Sequence, residues 1–282
     1  MNFGKIIGEP FEEYFANQCV GSHRLNDALP RPSVYYANHI AKTAPERDDS
    51  AAFAFGRLFH ALALEGEGAV AARFAVQPEG IDRRTKQGKE DYAAFLFASE
   101  GKQAVKQADI DLAWLMVGGI RAKPAAVKLL SRGGPEITFR HQLPMFAVQA
   151  RVDWFDGEDP AGPLCVNVKT VETLEDFDKQ YVNYHYYRGD SFYRMVVAKV
   201  LGVESFVPQM VNLVVEKSPP YECEIRVPDA EALEVGAVEC MKRLTTLARC
   251  YESGVWPGAP DGSRTISLPM WMTKAIAEGR TP

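Results

Sequence analysis

Three short runs of alternating apolar and polar residues, 136–142, 146–156 and 163–171, follow one another with only turn signals between them: Leu143-Pro144, then Asp156-Gly157-Glu158-Asp159-Pro160-Ala161-Gly162. Runs of this length with a period of two are strands, and connections this short join antiparallel neighbours. A three-stranded meander is therefore fixed at the centre of the chain. Most of the sequence on either side has helical periodicity, so the sheet needs helices to cover it. The fold class expected is mixed α/β rather than a regular βαβα alternation.

Residues 51–66 (AAFAFGRLFHALALEG) read as a buried helix, apolar on nearly every side, with one imidazole, His60. A second helix-rich stretch runs from about 87 to 130 and stops at Gly133-Gly134-Pro135. Beyond the meander, 184–201 carries Tyr193, Val196, Val197, Val200 and Leu201 at helical spacing and ends at Gly202. Strands at 206–217 and 221–227 flank Ser218-Pro219-Pro220, and a long helix from Pro228-Asp229 to Tyr251 places Leu233, Ala237, Met241, Leu244, Ala248 and Tyr251 on one stripe. The expected organisation is a helical lead-in (1–50), one main domain (51–270) and a tail (271–282).

With 46% hydrophobic and 24% charged residues over 282 positions, the chain can bury a substantial core. No run approaches the roughly 18 apolar residues of a membrane span, and the first residues lack the apolar region of a secretory signal. A cytoplasmic protein without a membrane partner is expected. The five cysteines form no C-x-x-C pair, so neither a disulfide framework nor a zinc site is indicated and buried thiols are expected. A net charge of −5 gives no overall attraction to polyanions, so nucleic-acid binding requires a local basic patch.

Period-two geometry sorts the meander side chains by face. On the second strand Val148, Ala150, Val152 and Trp154 should point one way, and Gln149, Arg151, Asp153 and Phe155 the other. On the third, Leu164, Val166 and Val168 should face the core, leaving Cys165, Asn167 and Lys169 together. An acid on one strand beside an acid-x-Lys pair on the next brings two oxygens and an ammonium within reach of one point, because residues i and i+2 lie about 6.6 Å apart on one face. Oxygen ligands of that kind hold Mg²⁺ or Mn²⁺, which acidifies water and offsets phosphate charge, and the lysine orients the water or stabilises the developing negative charge. Here Asp153 is followed by Asn167-Val168-Lys169, with an amide where the second acid belongs. On spacing alone the signal is weak, since any two antiparallel strands can show it, and a surface Asp and Lys on a half-exposed sheet is the commoner reading.

Two further groups could converge on the same point: Glu136 at the start of the first strand, and His60, whose imidazole in an apolar helix needs a partner. Arg83, Arg84, Lys86 and Lys89 place four cations in seven residues, a candidate phosphate-gripping element. Tyr181, Tyr184, Tyr186, Tyr187, Phe192 and Tyr193 crowd one region beside Arg188 and suit either base stacking or core packing.

Four segments taken in order resemble the exodeoxyribonuclease VIII family, the RecE-type phage and prophage recombination nucleases of the PD-(D/E)XK superfamily. They are FGRLFHALALE at 55–65, QPEGIDRRTKQGKEDYAAF at 77–95, the QARVDWFDG and CVNVKT parts of 149–170, and YYRGDSFYR at 186–194. The stretch from Gly21, GSHRLNDALPRPSVYY, is similar to the family's opening serine-plus-helix segment. The resemblance implies a restriction-endonuclease-like core, with a central mixed sheet flanked by helices and an N-terminal helical region. It implies that His60, Asp153, Asn167 and the Val168 carbonyl surround Mg²⁺, with Mn²⁺ as substitute. Glu136 would assist, Lys169 would position the water, and Arg83, Arg84, Lys86, Lys89, Arg188 and Tyr193 would meet DNA. The implied activity is 5′→3′ resection of double-stranded ends by a ring-shaped trimer or tetramer, leaving single strands for a phage annealing protein. Two positions depart from the pattern: Asn167 replaces the motif acid, and Gly189 stands where a glutamine is usual, its polar contact left to adjacent Asp190 or Arg188, while Tyr193 keeps the tyrosine. An amide oxygen lacks formal charge and holds a cation less strongly. A nuclease-fold protein that binds DNA ends without cutting is therefore the alternative.

Overall fold

The computed structural model describes residues 2–45, 50–99, 101–263 and 265–280; positions 46–49 of the expected lead-in and 281–282 of the expected tail lie outside the described residues. Strand β1 (Gly4–Ile6) precedes three short helices, α1 (Phe11–Ala16), α2 (Ser22–Asn26) and α3 (Pro32–Tyr35). Helix α4 (Ala51–His60) starts where the Ser50 hydroxyl accepts the Phe53 N–H, then continues as a π-helical turn, Ala61–Glu65, to Gly66. Its first turn is exposed, with Phe53 pointing outward, and burial begins at Leu58, so the expected all-round apolar burial holds only for its second half.

The next stretch comprises α5 (Glu67–Arg73), β2 (Phe74–Val76), α6 (Lys86–Ala98), β3 (Gln103–Val105), α7 (Gln107–Ala122) and α8 (Pro124–Leu129). β2 and β3 pair in parallel, a feature that three-residue runs give no periodicity to reveal. The meander follows as β4 (Gly134–Gln142), β5 (Ala147–Asp156) and β6 (Leu164–Val171). The chain then runs through α9 (Phe177–Asn183), α10 (Tyr186–Leu201), β7 (Gln209–Glu216), β8 (Cys223–Arg226), α11 (Ala230–Ser253) and α12 (Met270–Ala277).

The main sheet has the order β1-β4-β5-β6-β7-β8, antiparallel throughout except for the parallel pair β6–β7. A parallel pair needs a crossover, and α9 and α10 provide it. This is the expected mixed sheet flanked by helices. One face packs Phe139, Val148, Ala150, Val152 and Cys165 against Val20, Leu25, Tyr35 and the α10–α11 residues Phe192, Val197, Cys240 and Leu247. The other packs Leu164, Val166, Val168, Val211, Leu213 and Val215 against Leu58, Phe59, Met116 and Ile120 of α4 and α7. Among the described residues no helix is long and apolar enough to cross a membrane.

The sorting along β6 holds, with Leu164, Val166 and Val168 in the second core and Cys165 on the opposite face, and both faces are covered because β7 makes β6 an interior strand. Two expectations about faces are corrected. Strict alternation along β5 breaks near Asp153: Val152 and Phe155 lie in the first core, while Trp154 packs on the second. On α11 the buried stripe is Gly236, Cys240, Leu244, Leu247 and Cys250, and Met241 is half exposed. The cause is a close crossing with α10. Ser191 donates from its hydroxyl to the carbonyls of Tyr187 and Leu233, and a Cβ on Gly236 would overlap the Ser191 hydroxyl and the Tyr187 carbonyl.

Gly236→Ala is therefore expected to destabilise the protein. Overpacking of about 1–3 kcal/mol exceeds the gain of about 1 kcal/mol in helix propensity. A lower urea midpoint at unchanged slope would show this, and a raised midpoint would refute it.

All five cysteines are buried and unbridged, as expected.

Candidate metal centre

The site forms where β5 and β6 part. They pair only at Trp154–Val166, Phe155–Cys165 and Asp156–Leu164, and one step further on, where Asp153 would oppose Asn167, the ladder ends. The other half of β5 instead takes the segment around Val20 beside Val148, with Val20 N–H donating to the Ala147 carbonyl and Gln149 N–H to the Val20 carbonyl. At the fork the Val168 N–H, which has no partner on β5, donates to the Asp153 carboxylate at 2.7 Å. The carboxylate is thus held by the backbone that carries Asn167 and Lys169.

Glu136 lies across from Asp153 between the paired residues Pro135 and Ile137, and its φ is +53°. A non-glycine residue in this left-handed region costs on the order of 1–3 kcal/mol, and such strain gathers at functional sites. Two carboxylates facing each other across strands repel. Arg151 and His60 offset that repulsion. The Arg151 Nε donates to Glu136 at 2.5 Å while its Nη1 donates to the Glu9 carbonyl at 2.9 Å. His60, on the last residue of α4, brings its Nδ1 to 3.7 Å from Asp153 and 3.9 Å from Glu136.

Burial pulls the His60 pKa down, but Asp153 and Glu136 prevail and raise it. Burial pushes Glu136 up, but His60 and Arg151 hold it below the usual carboxylate range. Tyr193 is close enough to feel the charges of Asp153 and Glu136. It bonds to Ser22, and burial keeps its hydroxyl neutral.

His60, Glu136 and Asp153 offer one ligand atom each within 4.8 Å of one another, from three separate elements. One imidazole nitrogen and two carboxylates suit Mn²⁺ and, with water completing an oxygen-rich shell, Mg²⁺. Across the fork the Asn167 Oδ1 is buried and accepts no hydrogen bond among the described residues, as an oxygen awaiting a cation or its water would. The donor set therefore fits a divalent metal.

The sequence over residues 33–266 matches the PDDEXK-like domain of unknown function (DUF3799). The chain belongs to this PDDEXK-like family. Its structure is also similar to a solved structure from Eubacterium rectale titled "Putative exonuclease", with a TM-score of 0.60, 14% identity, and coverage of 95% of this chain and 98% of the other. Among curated proteins none matches. The likeness to the solved structure shows the fold, and the family match places the chain among PDDEXK-like domains.

Within the PDDEXK-like frame the remaining candidate residues divide. Lys169 extends from β6 with its Nζ 5.4 Å from the centre of the Tyr186 ring, close enough to the cluster to bear on His60. Asn167 is 3% exposed and its amide donates to Asp190 of α10. Arg188 is buried beside α11, its Nη1 3.8 Å from Glu239. Gly189 leaves open space where a side chain would stand.

The 82–89 stretch is a helix-capping turn. The Thr85 hydroxyl accepts the Gly88 N–H and donates to the Asp82 carbonyl, a Cβ on Gly88 would overlap that carbonyl, and Arg84 forks onto Asp82 with two bonds of 2.9 Å. Arg83 lies over Tyr92, while Lys86 and Lys89 are exposed on α6. Much of the I-D-R-R-T-K-x-G-K string is thus explained by the turn itself.

Arg151, Asn212 and Ser22 also pack around the site, Arg151 on Glu136, Asn212 on Asp190 and Ser22 on Tyr193. Arg151 shares the period-two face of Asp153 and could have been found from that. The others reach the site only through tertiary contacts.

Proposed function

We propose that this PDDEXK-like protein is an Mg²⁺-dependent exonuclease that resects double-stranded DNA ends 5′→3′, as the exodeoxyribonuclease VIII family does, to supply single strands for annealing recombination in the cytoplasm. The observation that carries the proposal is the convergence of His60, Glu136 and Asp153 within 4.8 Å beside the strand that bears Lys169. His60, Glu136, Asp153 and the Asn167 oxygen would hold Mg²⁺ or Mn²⁺, with the Val168 carbonyl as a further oxygen on the same strand. A bound metal of this type supplies a Lewis acid that acidifies water and offsets phosphate charge. Lys169 brings an ammonium to orient the nucleophile and meet charge developing on phosphorus. Arg151 keeps Glu136 ionised, and Val168 fixes the carboxylate of Asp153. Arg83, Lys86 and Lys89 offer exposed cations to the phosphate backbone. A ring of three or four copies and a single-strand annealing partner belong to the same proposal.

The lack of charge at Asn167 favours a second reading, DNA-end binding without turnover. The unchanged chain and Asn167→Asp should be compared on linear duplex DNA, single-stranded DNA and RNA with Mg²⁺ and with Mn²⁺. The exonuclease reading expects acid-soluble nucleotides from duplex DNA with the unchanged chain. Activity confined to Asn167→Asp would replace it by the end-binding reading.

A further inference from the structure

We propose that Asp190 is a positioning residue that fixes which end of the Asn167 amide faces the metal cluster, so that a neutral side chain works as a dedicated oxygen ligand. The inference rests on the metal-dependent reading above. Asp190 is 1% exposed, and its carboxylate accepts three hydrogen bonds: from Asn167 Nδ2 at 2.8 Å, from Asn212 Nδ2 at 2.8 Å and from the Tyr181 hydroxyl at 3.1 Å. Asn212 is the in-register neighbour of Asn167 on β7, so one carboxylate on α10 gathers the amides of two adjacent strands.

Burial pushes the Asp190 pKa up, while the three donated hydrogen bonds and the nearby Lys169 charge favour its ionised form, and an ionised carboxylate only accepts hydrogen bonds. Both amides must therefore turn their NH₂ groups to Asp190 and their oxygens away. The structure has this arrangement: Asn167 Oδ1 and Asn212 Oδ1 are both buried and accept no hydrogen bond among the described residues. The two ends of an asparagine amide are nearly equal in shape, and an amide free to flip would present NH₂ to a cation half of the time. A flip against Asp190 would break a charge-assisted bond and set oxygen against oxygen.

Stability does not account for the arrangement. A buried carboxylate is expensive to desolvate, and an apolar cluster of similar volume is commonly as stable or more so. Orientation does account for it, and the acid missing from the metal-facing position is found one side chain behind it. The charge acts through the amide instead of touching the metal.

The test measures Mn²⁺ affinity by calorimetry, with melting followed by circular dichroism, for the native chain, Asp190→Asn, Asn167→Asp and the exchanged pair Asn167→Asp/Asp190→Asn. Loss of a group that orients a metal ligand costs about 10–100-fold in affinity, and Asp190→Asn should weaken Mn²⁺ binding by that factor. The exchanged pair keeps one acid, one amide and their mutual hydrogen bond, and should bind Mn²⁺ at least as tightly as the native chain. Asn167→Asp alone sets two carboxylates side by side and should bind less tightly than the exchanged pair.

A folded Asp190→Asn with native affinity, or an exchanged pair that fails to recover binding, overturns the inference and leaves the nuclease reading standing. If Asp190→Asn does not fold, the exchanged pair decides by the same criterion. A native chain that binds no Mn²⁺ overturns the metal-dependent reading and this inference with it.

Discussion

Lys169→Ala is expected to lower Mg²⁺-dependent release of nucleotides from linear duplex DNA by about 10³-fold, the upper end of what removal of one preorganised transition-state donor costs. The substitution removes the ammonium without disturbing what holds the site together. The Val168 N–H still donates to Asp153, the β6–β7 ladder is unaffected, and His60 and Glu136 are fixed from α4 and β4. Mn²⁺ affinity should therefore persist, and removal of a nearby cation should if anything improve it. A rate within tenfold of the native chain would take the lysine out of the chemistry. Lys169→Arg should not rescue, because a planar guanidinium cannot replace a compact ammonium packed against Tyr186.

The second large effect is on metal binding. Asp153→Ala is expected to weaken Mn²⁺ by more than about 100-fold, since a direct ligand is lost where an outer partner already costs 10–100-fold. The variant also deprives the Val168 N–H of its acceptor, a cost of about 1–3 kcal/mol, while relieving repulsion between Asp153 and Glu136. Asp153→Asn separates these effects. Its amide oxygen can still accept from Val168, so stability should stay near native while affinity falls for want of charge. Calorimetry with Mn²⁺ and a denaturant titration on both variants would check this, and native affinity in Asp153→Asn would remove Asp153 from the metal centre.

Much of the fold was legible in the sequence because its determinants are local. The meander runs end where Leu143-Pro144 and the 156–162 turn place them, α10 stops at Gly202, and α11 starts where Asp229 caps Ala232. His60 stood out because a lone imidazole among apolar residues needs a partner, and in the fold it lies beside Asp153 and Glu136. Legibility failed where two elements meet. The face of α11 could not be read from its apolar spacing, because Gly236 and Ser191 set how closely it crosses α10. The alternation along β5 could not be carried through Asp153, because β6 leaves it there.

By itself the sequence determined the longer helices and the three-stranded meander, since periodicity, caps and turn residues act over a few positions of chain, while the mixed sheet was implied by the family resemblance. Only the tertiary structure decided how the site is wired. It placed the fork between β5 and β6, buried Arg188 against α11, turned the 82–89 string into a capping turn, and brought Asp190 behind Asn167. Asp190 and Asn167 lie on different elements, and whether an asparagine in place of an acid is a loss or a paired design depends on what packs against it. That contact exists only once helix and sheet are assembled.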